Sequence, residues 1–309
     1  MDGPKVALVT GCSEGGIGAA LCEALLKRGC RVFATARRLE SMTKLEALGC
    51  CVVQLDVCEE ASIRDCVETV VAKAGRVDIL VNNAGVGAVG PLMDLPMEAM
   101  RQLFETNVYG TVAVSQAVFP IMAKQGGGTI ANIGSIVGWM ATPWTAAYCA
   151  SKAAIQSLSD SMRLEMKPFG VDVVLINPGV VETNLGQNNA SRQHLNRNGH
   201  FAPFEEAIRT KAVFAHKRGA TPANVFAEKA AATLLKPKPP RHWFFGQHSL
   251  TLFIVSHVLP LLCRDWILAR QFGLNVRITG SQAPTYWKGN RPNSGDESMG
   301  RLTPAGSSF

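Results

Sequence analysis

Residues 5–18 read K-V-A-L-V-T-G-C-S-E-G-G-I-G, and this stretch decides the fold. Residues 5–10 form a short β-branched apolar run of the kind that becomes a buried strand. Residues 17–28 then carry apolar side chains at helical spacing, and a glycine-rich turn lies between the two. Strand, glycine turn and helix in that order are the context of a dinucleotide site. Glycines let the backbone approach a pyrophosphate, and the helix N-terminus favours the anion.

Working outward, the same alternation repeats. Strands are expected at 31–36, 51–55, 77–81, 129–134 and 171–176, with helical spacing through about residue 74, over 95–124 as one or two helices, and over 147–163. A short helix at 223–235 and a seventh strand at 241–246 complete the pattern. Strands alternating with helices imply βαβ units and a parallel sheet, with right-handed crossovers that gather the loops at one edge.

Three positions along those loops suggest chemistry. The second strand ends in Arg37 and Arg38, where a site for NAD places an acid to bind the ribose 2′-hydroxyl; paired arginines suit a 2′-phosphate, hence NADP(H). Asp56-Val57 closes the third strand, where a carboxylate would accept from the adenine amine. Asn107 sits in E-T-N-V-Y-G inside a predicted helix, which its helix propensity disfavours. It is either an ordinary polar helix residue or a side chain bonding local backbone and holding water.

Residues 135–152, S-I-V-G-W-M-A-T-P-W-T-A-A-Y-C-A-S-K, carry the proton chemistry. On a helix Tyr148 and Lys152 lie four apart and share a face. The ammonium is expected to bring the phenol down from its free pKa of about 10, so that it passes a proton to or from a substrate oxygen. Ser135, at the end of a strand, would hold that oxygen from another side. A Tyr–Lys pair at this spacing is also a common pair of helix neighbours, so the assignment depends on the upstream motifs.

Bulk properties bound the alternatives. The 309 residues are 47% hydrophobic and 18% charged, enough for a substantial globular core. Of the net charge of +7, residues 1–204 contribute 17 Lys/Arg against 18 Asp/Glu, and residues 205–309 contribute 14 against 6. A basic C-terminal third favours an anionic membrane surface or a phosphate-bearing ligand. Nucleic acid is not expected, because no dense basic run with interleaved aromatics is present. The nine scattered cysteines contain no C-x-x-C, and the six histidines all follow residue 190, so neither a disulfide framework nor a metal is expected. Cys149 is read as packing. The N-terminus enters the first strand without a signal peptide, and the body is expected to face the cytosol.

Together, T-G-C-S-E-G-G-I-G, Asp56-Val57, N-N-A-G at 82–85, Asn107, Ser135, Y-C-A-S-K at 148–152 and P-G-V-V-E-T at 178–183 resemble the short-chain dehydrogenase/reductase family over roughly residues 5–246. The resemblance implies an α/β fold, a single Rossmann-type doubly wound parallel sheet, followed by a C-terminal apolar and basic extension. It implies a catalytic tetrad of Asn107, Ser135, Tyr148 and Lys152, with Asn107 placing a water in a proton relay. NADP(H) would be held by Gly11, Ser13, Gly16, Ile17, Gly18, Arg37, Arg38, Asp56, Val57, Asn83, Val181 and Thr183, together with Tyr148 and Lys152. The family loop usually reads T-G-x-x-x-G-x-G, whereas here four residues separate Gly11 from Gly16. The extra residue falls among Ser13, Glu14 and Gly15, which leaves the phosphate contacts there open.

Within the family, A-R-R-L-E at 36–40, L-E-M-K-P-F at 164–169 and the C-terminal extension look most like NADPH-dependent 1-acyldihydroxyacetone phosphate reductases. That likeness implies reduction of a lipid ketone to 1-acylglycerol 3-phosphate, at the cytosolic face of the endoplasmic reticulum or a lipid droplet; a soluble cytoplasmic protein is the alternative. Hydroxysteroid or retinol dehydrogenases are the next likeness, and an inactive membrane scaffold of the same fold is the third reading. A homo-oligomer is left open.

The division expected is a catalytic domain at 1–246, an extension at 247–278 and a disordered tail at 279–309. Residues 242–263 contain no Asp, Glu, Lys or Arg. The run at 250–263 is nevertheless too short, and too interrupted by Ser256, His257 and Pro260, for the roughly 20 apolar residues of a clean span. Trp266, Ile267, Leu268, Phe272 and Leu274 interspersed with Arg264, Arg270 and Arg277 suit a helix lying in a membrane interface. The alternative is an amphipathic helix covering the substrate pocket or a dimer contact. The polar segment 184–220 suits a mobile loop and helix over the site.

Overall fold

The computed structural model describes residues 3–184, 193–212 and 219–276. Seven strands, β1 (Val6–Thr10), β2 (Arg31–Ala36), β3 (Cys51–Gln54), β4 (Ile79–Asn82), β5 (Gly128–Ile133), β6 (Val171–Pro178) and β7 (His242–Phe245), form one sheet in the order β3-β2-β1-β4-β5-β6-β7. Every neighbouring pair is parallel. β1 is buried along its whole length, as expected where helices cover both faces of a parallel sheet.

Strand periodicity divides the apolar residues into two cores. Ala7 and Val9 face one side, against Leu21 and Leu25 of α1 (Ile17–Leu26) and, from the helix preceding β7, Phe226 and Ala230. Val6 and Leu8 face the other, against α3 (Glu60–Ala74), α5 (Gly110–Lys124) and α6 (Ala146–Glu165). The intervening helices are α2 (Thr43–Ala47) and α4 (Met97–Phe104), followed after β6 by α7 (Glu205–Ala212) and α8 (Ala223–Leu234). Because β1 is central and the chain runs outward to β3 before returning to β4, the order reverses at β1/β4. Ligands of open α/β sheets bind in the crevice at that reversal, beyond the carboxyl ends of the strands.

Several boundaries differ from the sequence reading for local reasons. β4 starts at Ile79 rather than Val77, because the Val77 carbonyl and amide are taken up by the Gln125 side chain (2.7 and 3.3 Å). β6 continues through Asn177-Pro178, because β7 pairs alongside both. The 95–124 stretch is two helices joined by a π turn over Glu105–Tyr109, and Asn107 lies in that turn. Within the expected loop over the site, the described part holds a 3-10 turn (Ala202–Phe204) and α7.

After β7 the chain folds back onto the body as α9 (Ser249–Val258) and α10 (Leu261–Gln271). The break falls at Leu259-Pro260, where Leu259 turns extended and Pro260 caps α10. Phe253 anchors α9, its ring 4.4 Å from that of Phe244 and 5.1 Å from that of Trp139. Among the described residues no helix is long and apolar enough to cross a membrane. The expected tail at 279–309 lies outside the described residues.

Candidate active site

One cavity of about 480 Å³ runs along the carboxyl ends of the strands. Gly11, Ile17, Arg37 and Asp56 line one end, Ser135, Tyr148 and Lys152 the middle, and Lys211, Leu268 and Phe272 the other end.

The glycine loop is clasped to the N-N-A-G turn. Thr10 Oγ1 accepts from the Asn83 and Ala84 amides, both at 3.0 Å, and Asn83 Nδ2 donates to the Thr10 and Gly11 carbonyls at 2.8 and 2.9 Å. That approach requires glycine twice. A Cβ on Gly11, whose φ is +70°, would lie 2.7 Å from Ala84 Cα, and one on Gly18 would lie 2.5 Å from Asn83 Nδ2. Gly11, Ser13, Gly16, Ile17 and Asn83 line the cavity, whereas Gly18 lies off the lining and serves the packing. The extra residue of the loop forms an outer lobe. The Asn184 amide donates to the Gly15 carbonyl and its side chain to the Glu14 carbonyl, both at 3.1 Å, and the Glu14 amide reaches the Ser41 carbonyl at 3.0 Å. Gly16 caps α1 without a side-chain acceptor, so the first-turn N–H groups remain for an anion.

Arg37 lines the cavity and Arg38 does not. Asp56 and Val57 line it beside Arg37, with Asp56 Oδ1 held by the Cys58 amide at 3.0 Å. Val181 and Thr183 close the opposite wall. A glycine loop, a bare helix N-terminus, a cation and a carboxylate along one cavity fit a nicotinamide dinucleotide.

Of the tetrad, Ser135, Tyr148 and Lys152 line the cavity and Asn107 lies behind it, 1% exposed. Asn107 does not bond local backbone. Its Oδ1 accepts from the Val86 amide (2.8 Å), and its Nδ2 donates to the Val86 carbonyl (2.9 Å) and Ser151 Oγ (3.0 Å). Ser151 Oγ in turn donates to the Tyr148 carbonyl at 2.8 Å. Asn107 thus ties the turn after β4 to the first turn of α6 and positions Tyr148. A second buried chain, Asn82 to Asn132 and Ser115 and Asn132 to Ser159, each bond 2.9 Å, pins β4 and β5 to α5 and α6.

The electrostatics of the pair differ from the sequence expectation. The half-buried Tyr148 phenol is pushed up to about 12, chiefly by desolvation and further by the neighbouring Cys149, with a hydrogen bond from Ser135 acting the other way. Burial brings Lys152 down to about 8. The expected lowering of the phenol fails because Lys152 Nζ donates to the Ile133 carbonyl at 2.7 Å and lies 5.7 Å from the Tyr148 ring centroid. Desolvation therefore dominates both groups. Ser135 caps the turn Ile136–Gly138, its Oγ accepting from the Val137 amide at 3.3 Å.

Thr10, Ser151 and Lys211 were not singled out from the sequence. Thr10 and Ser151 lie inside quoted motifs, T-G and Y-C-A-S-K, where their polarity at buried positions was the available signal. Nothing in the sequence marked Lys211.

The chain is similar in sequence and fold to known proteins. Residues 5–194 match the family model described as short chain dehydrogenase. The chain is 35% identical over 273 residues, 88% of its own length and 99% of the relative's, to the short-chain dehydrogenase ptmH of Penicillium ochrochloron. It is 40% identical over 187 residues, 60% of its length and 62% of the relative's, to the NADPH-dependent 1-acyldihydroxyacetone phosphate reductase of Schizosaccharomyces pombe. Among solved structures, a short-chain dehydrogenase from Streptomyces avermitilis superposes with a TM-score of 0.74 at 30% identity, covering 87% of this chain and 98% of that one.

Proposed function

Because the chain belongs to the short-chain dehydrogenase family, we propose that it is an NADPH-dependent reductase of a lipid ketone, converting 1-acyldihydroxyacetone phosphate to 1-acylglycerol 3-phosphate. The observation that carries this reading is that one cavity is lined by Arg37, by the Ser135–Tyr148–Lys152 cluster and by the apolar Leu252, Leu268 and Phe272. The fission yeast relative, named for that activity, supports the substrate. The same apolar chamber suits a neutral steroid or retinoid, which is the second reading.

When bound, the nicotinamide supplies the hydride, and the protein supplies position and the proton. Ser135 holds the ketone oxygen. Tyr148, protonated at neutral pH, donates its hydroxyl proton to that oxygen as the carbon is reduced. Lys152, anchored on the Ile133 carbonyl, would bind the nicotinamide ribose. Asn107 and Ser151 hold Tyr148 in place from behind.

The test is NADPH oxidation by the purified full-length protein with acyl-dihydroxyacetone phosphate, a 17-ketosteroid and retinal in parallel. Preference for the first supports the proposal, and preference for either of the others transfers the assignment to the second reading. Equal inertness, with cofactor binding intact, would revive a non-enzymatic scaffold. Arg37→Ala is expected to raise KM for NADPH about 10- to 100-fold, the value of a charge-assisted contact to phosphate. KM for NADH should hardly move. Equal effects on both cofactors would remove Arg37 from 2′-phosphate recognition.

The outer faces of α9 and α10 support a membrane partner. Leu250, Ile254, Val258, Leu261, Leu262 and Trp266 are each 50–81% exposed on these two short helices. Arg270 lies among them, its guanidinium 4.9 Å from the Trp266 ring centroid, while the half-buried Arg264 donates to the Ser256 carbonyl at 3.0 Å. An apolar row flanked by a cation complements an anionic lipid surface, here the cytosolic leaflet of the endoplasmic reticulum or the monolayer of a lipid droplet. Burying each such side chain is worth about 1.5–3 kcal/mol. Leu262→Glu with Trp266→Glu should accordingly cut co-flotation with phosphatidylserine-containing vesicles at least about tenfold. Undiminished flotation would count against this face.

A further inference from the structure

Beyond Tyr148 the cavity is mostly apolar, and apart from Arg37 and Lys152 its one cation among the described lining residues is Lys211. Lys211 stands on the last turn of α7, its Nζ 5.1 Å from the centroid of the Phe272 ring. Nearby on the cavity wall, Thr145 Oγ1 is 3.6 Å from Cys149 Sγ and 3.0 Å from Thr142 Oγ1. Thr142 and Thr145 line the same cavity. Lys211 thus shares the cavity with the corner built by residues 142–145, just before Tyr148 in the chain.

The corner is rich in donors. Trp144, packed in the cluster that includes Phe272, has a buried indole N–H with no acceptor among the described residues. Burial lowers the pKa of Lys211, a cost that an anion beside it offsets.

We propose that Lys211 is a specificity residue that receives the anionic head group, phosphate or carboxylate, of an acyl-chain ketone whose chain lies against Leu252 and Leu268. The inference rests on the reading of this cavity as a lipid-ketone site. It assigns Lys211 a role in substrate selection separate from the proton transfer at Tyr148.

The test uses ligands that cannot be reduced. Dodecyl phosphate and dodecanol, below their aggregation thresholds, are titrated calorimetrically into the full-length protein loaded with NADP+. Wild type is expected to bind the phosphate about 10- to 100-fold more tightly than the alcohol. Lys211→Met should reduce that preference to within about threefold, Lys211→Arg should retain most of it, and dodecanol should bind all three alike. NADP+ affinity reports folding, and Lys211→Gln replaces the Met variant if that variant is unstable. Wild-type affinity of the Met or Gln variant for dodecyl phosphate overturns the proposal, as does the absence of a phosphate preference in wild type. Because neither probe is turned over, inertness towards acyl-dihydroxyacetone phosphate would sink the substrate reading alone and leave the Lys211 result interpretable.

Discussion

Tyr148→Phe is expected to lower kcat/KM for ketone reduction by about 10²- to 10⁴-fold, the range for loss of a positioned general acid, while NADPH affinity stays within a few-fold. Phenylalanine preserves the ring, which packs with Ala88, Leu103 and Ala147, so the substitution removes a hydroxyl and little else. With the phenol pushed up to about 12, it carries its proton throughout the neutral range and is a loaded donor for reduction. The reverse reaction, alcohol oxidation, needs the phenolate, a form that the raised phenol pKa disfavours near pH 7. Ser135 cannot replace the lost donor. A serine hydroxyl is too weak an acid to give up its proton in that step, and in the proposed mechanism its O–H only holds the oxygen being protonated while its Oγ accepts from the Val137 amide. Steady-state kinetics with NADPH, together with a fluorescence titration of cofactor binding, separate the two effects. Turnover surviving intact would remove Tyr148 from the chemistry.

The parts of this site that were legible in the sequence are those encoded locally. A β-branched run, glycines and a helical stretch describe β1, its turn and α1 without reference to any other segment. Tyr148 and Lys152 share a face because helical spacing requires it. What was not legible depends on partners distant in the chain. Asn107 lies in a π turn, and its side chain is spoken for by Val86 and Ser151, 21 and 44 residues away. Neither a propensity scale nor a motif reports such partners. The direction of the Tyr148 shift was misjudged for the same reason: the sequence shows a lysine one turn away but not that its ammonium is bound to the Ile133 carbonyl. Lys211 reaches the cavity only because α7 folds beneath Trp144 and Phe272, from a segment whose composition carries no periodic signal. The apolar run after residue 249 was legible as apolar, yet its break at Pro260 into two helices, each with one face on the cavity and one exposed, required the tertiary fold.

Lys152→Met is expected to cost about 10²- to 10³-fold in kcat/KM, comparable to removing a preorganised electrostatic donor, with both KM for NADPH and kcat affected. The pH profile makes this prediction specific. Burial lowers Lys152 from its ordinary 10.5 to about 8, so the ammonium is present below that pH and is lost as pH rises through it. Wild-type kcat/KM, which reports the free enzyme, should therefore be level at neutral pH and fall above about 8. Cofactor phosphates near the ammonium favour its charged form, so the break in kcat, which reports the loaded complex, should move to higher pH. Lys152→Met should show neither break. A purely structural lysine predicts something else, because losing the bond to Ile133 leaves a buried carbonyl unsatisfied, at a cost of about 1–3 kcal/mol. That loss would lower the melting temperature while leaving the profile of the residual activity with the wild-type break. Both outcomes can be read from one variant, by thermal denaturation and by kcat/KM measured from pH 6 to 10. A retained break near pH 8 in Lys152→Met would assign that ionisation to another group and confine Lys152 to holding the end of β5.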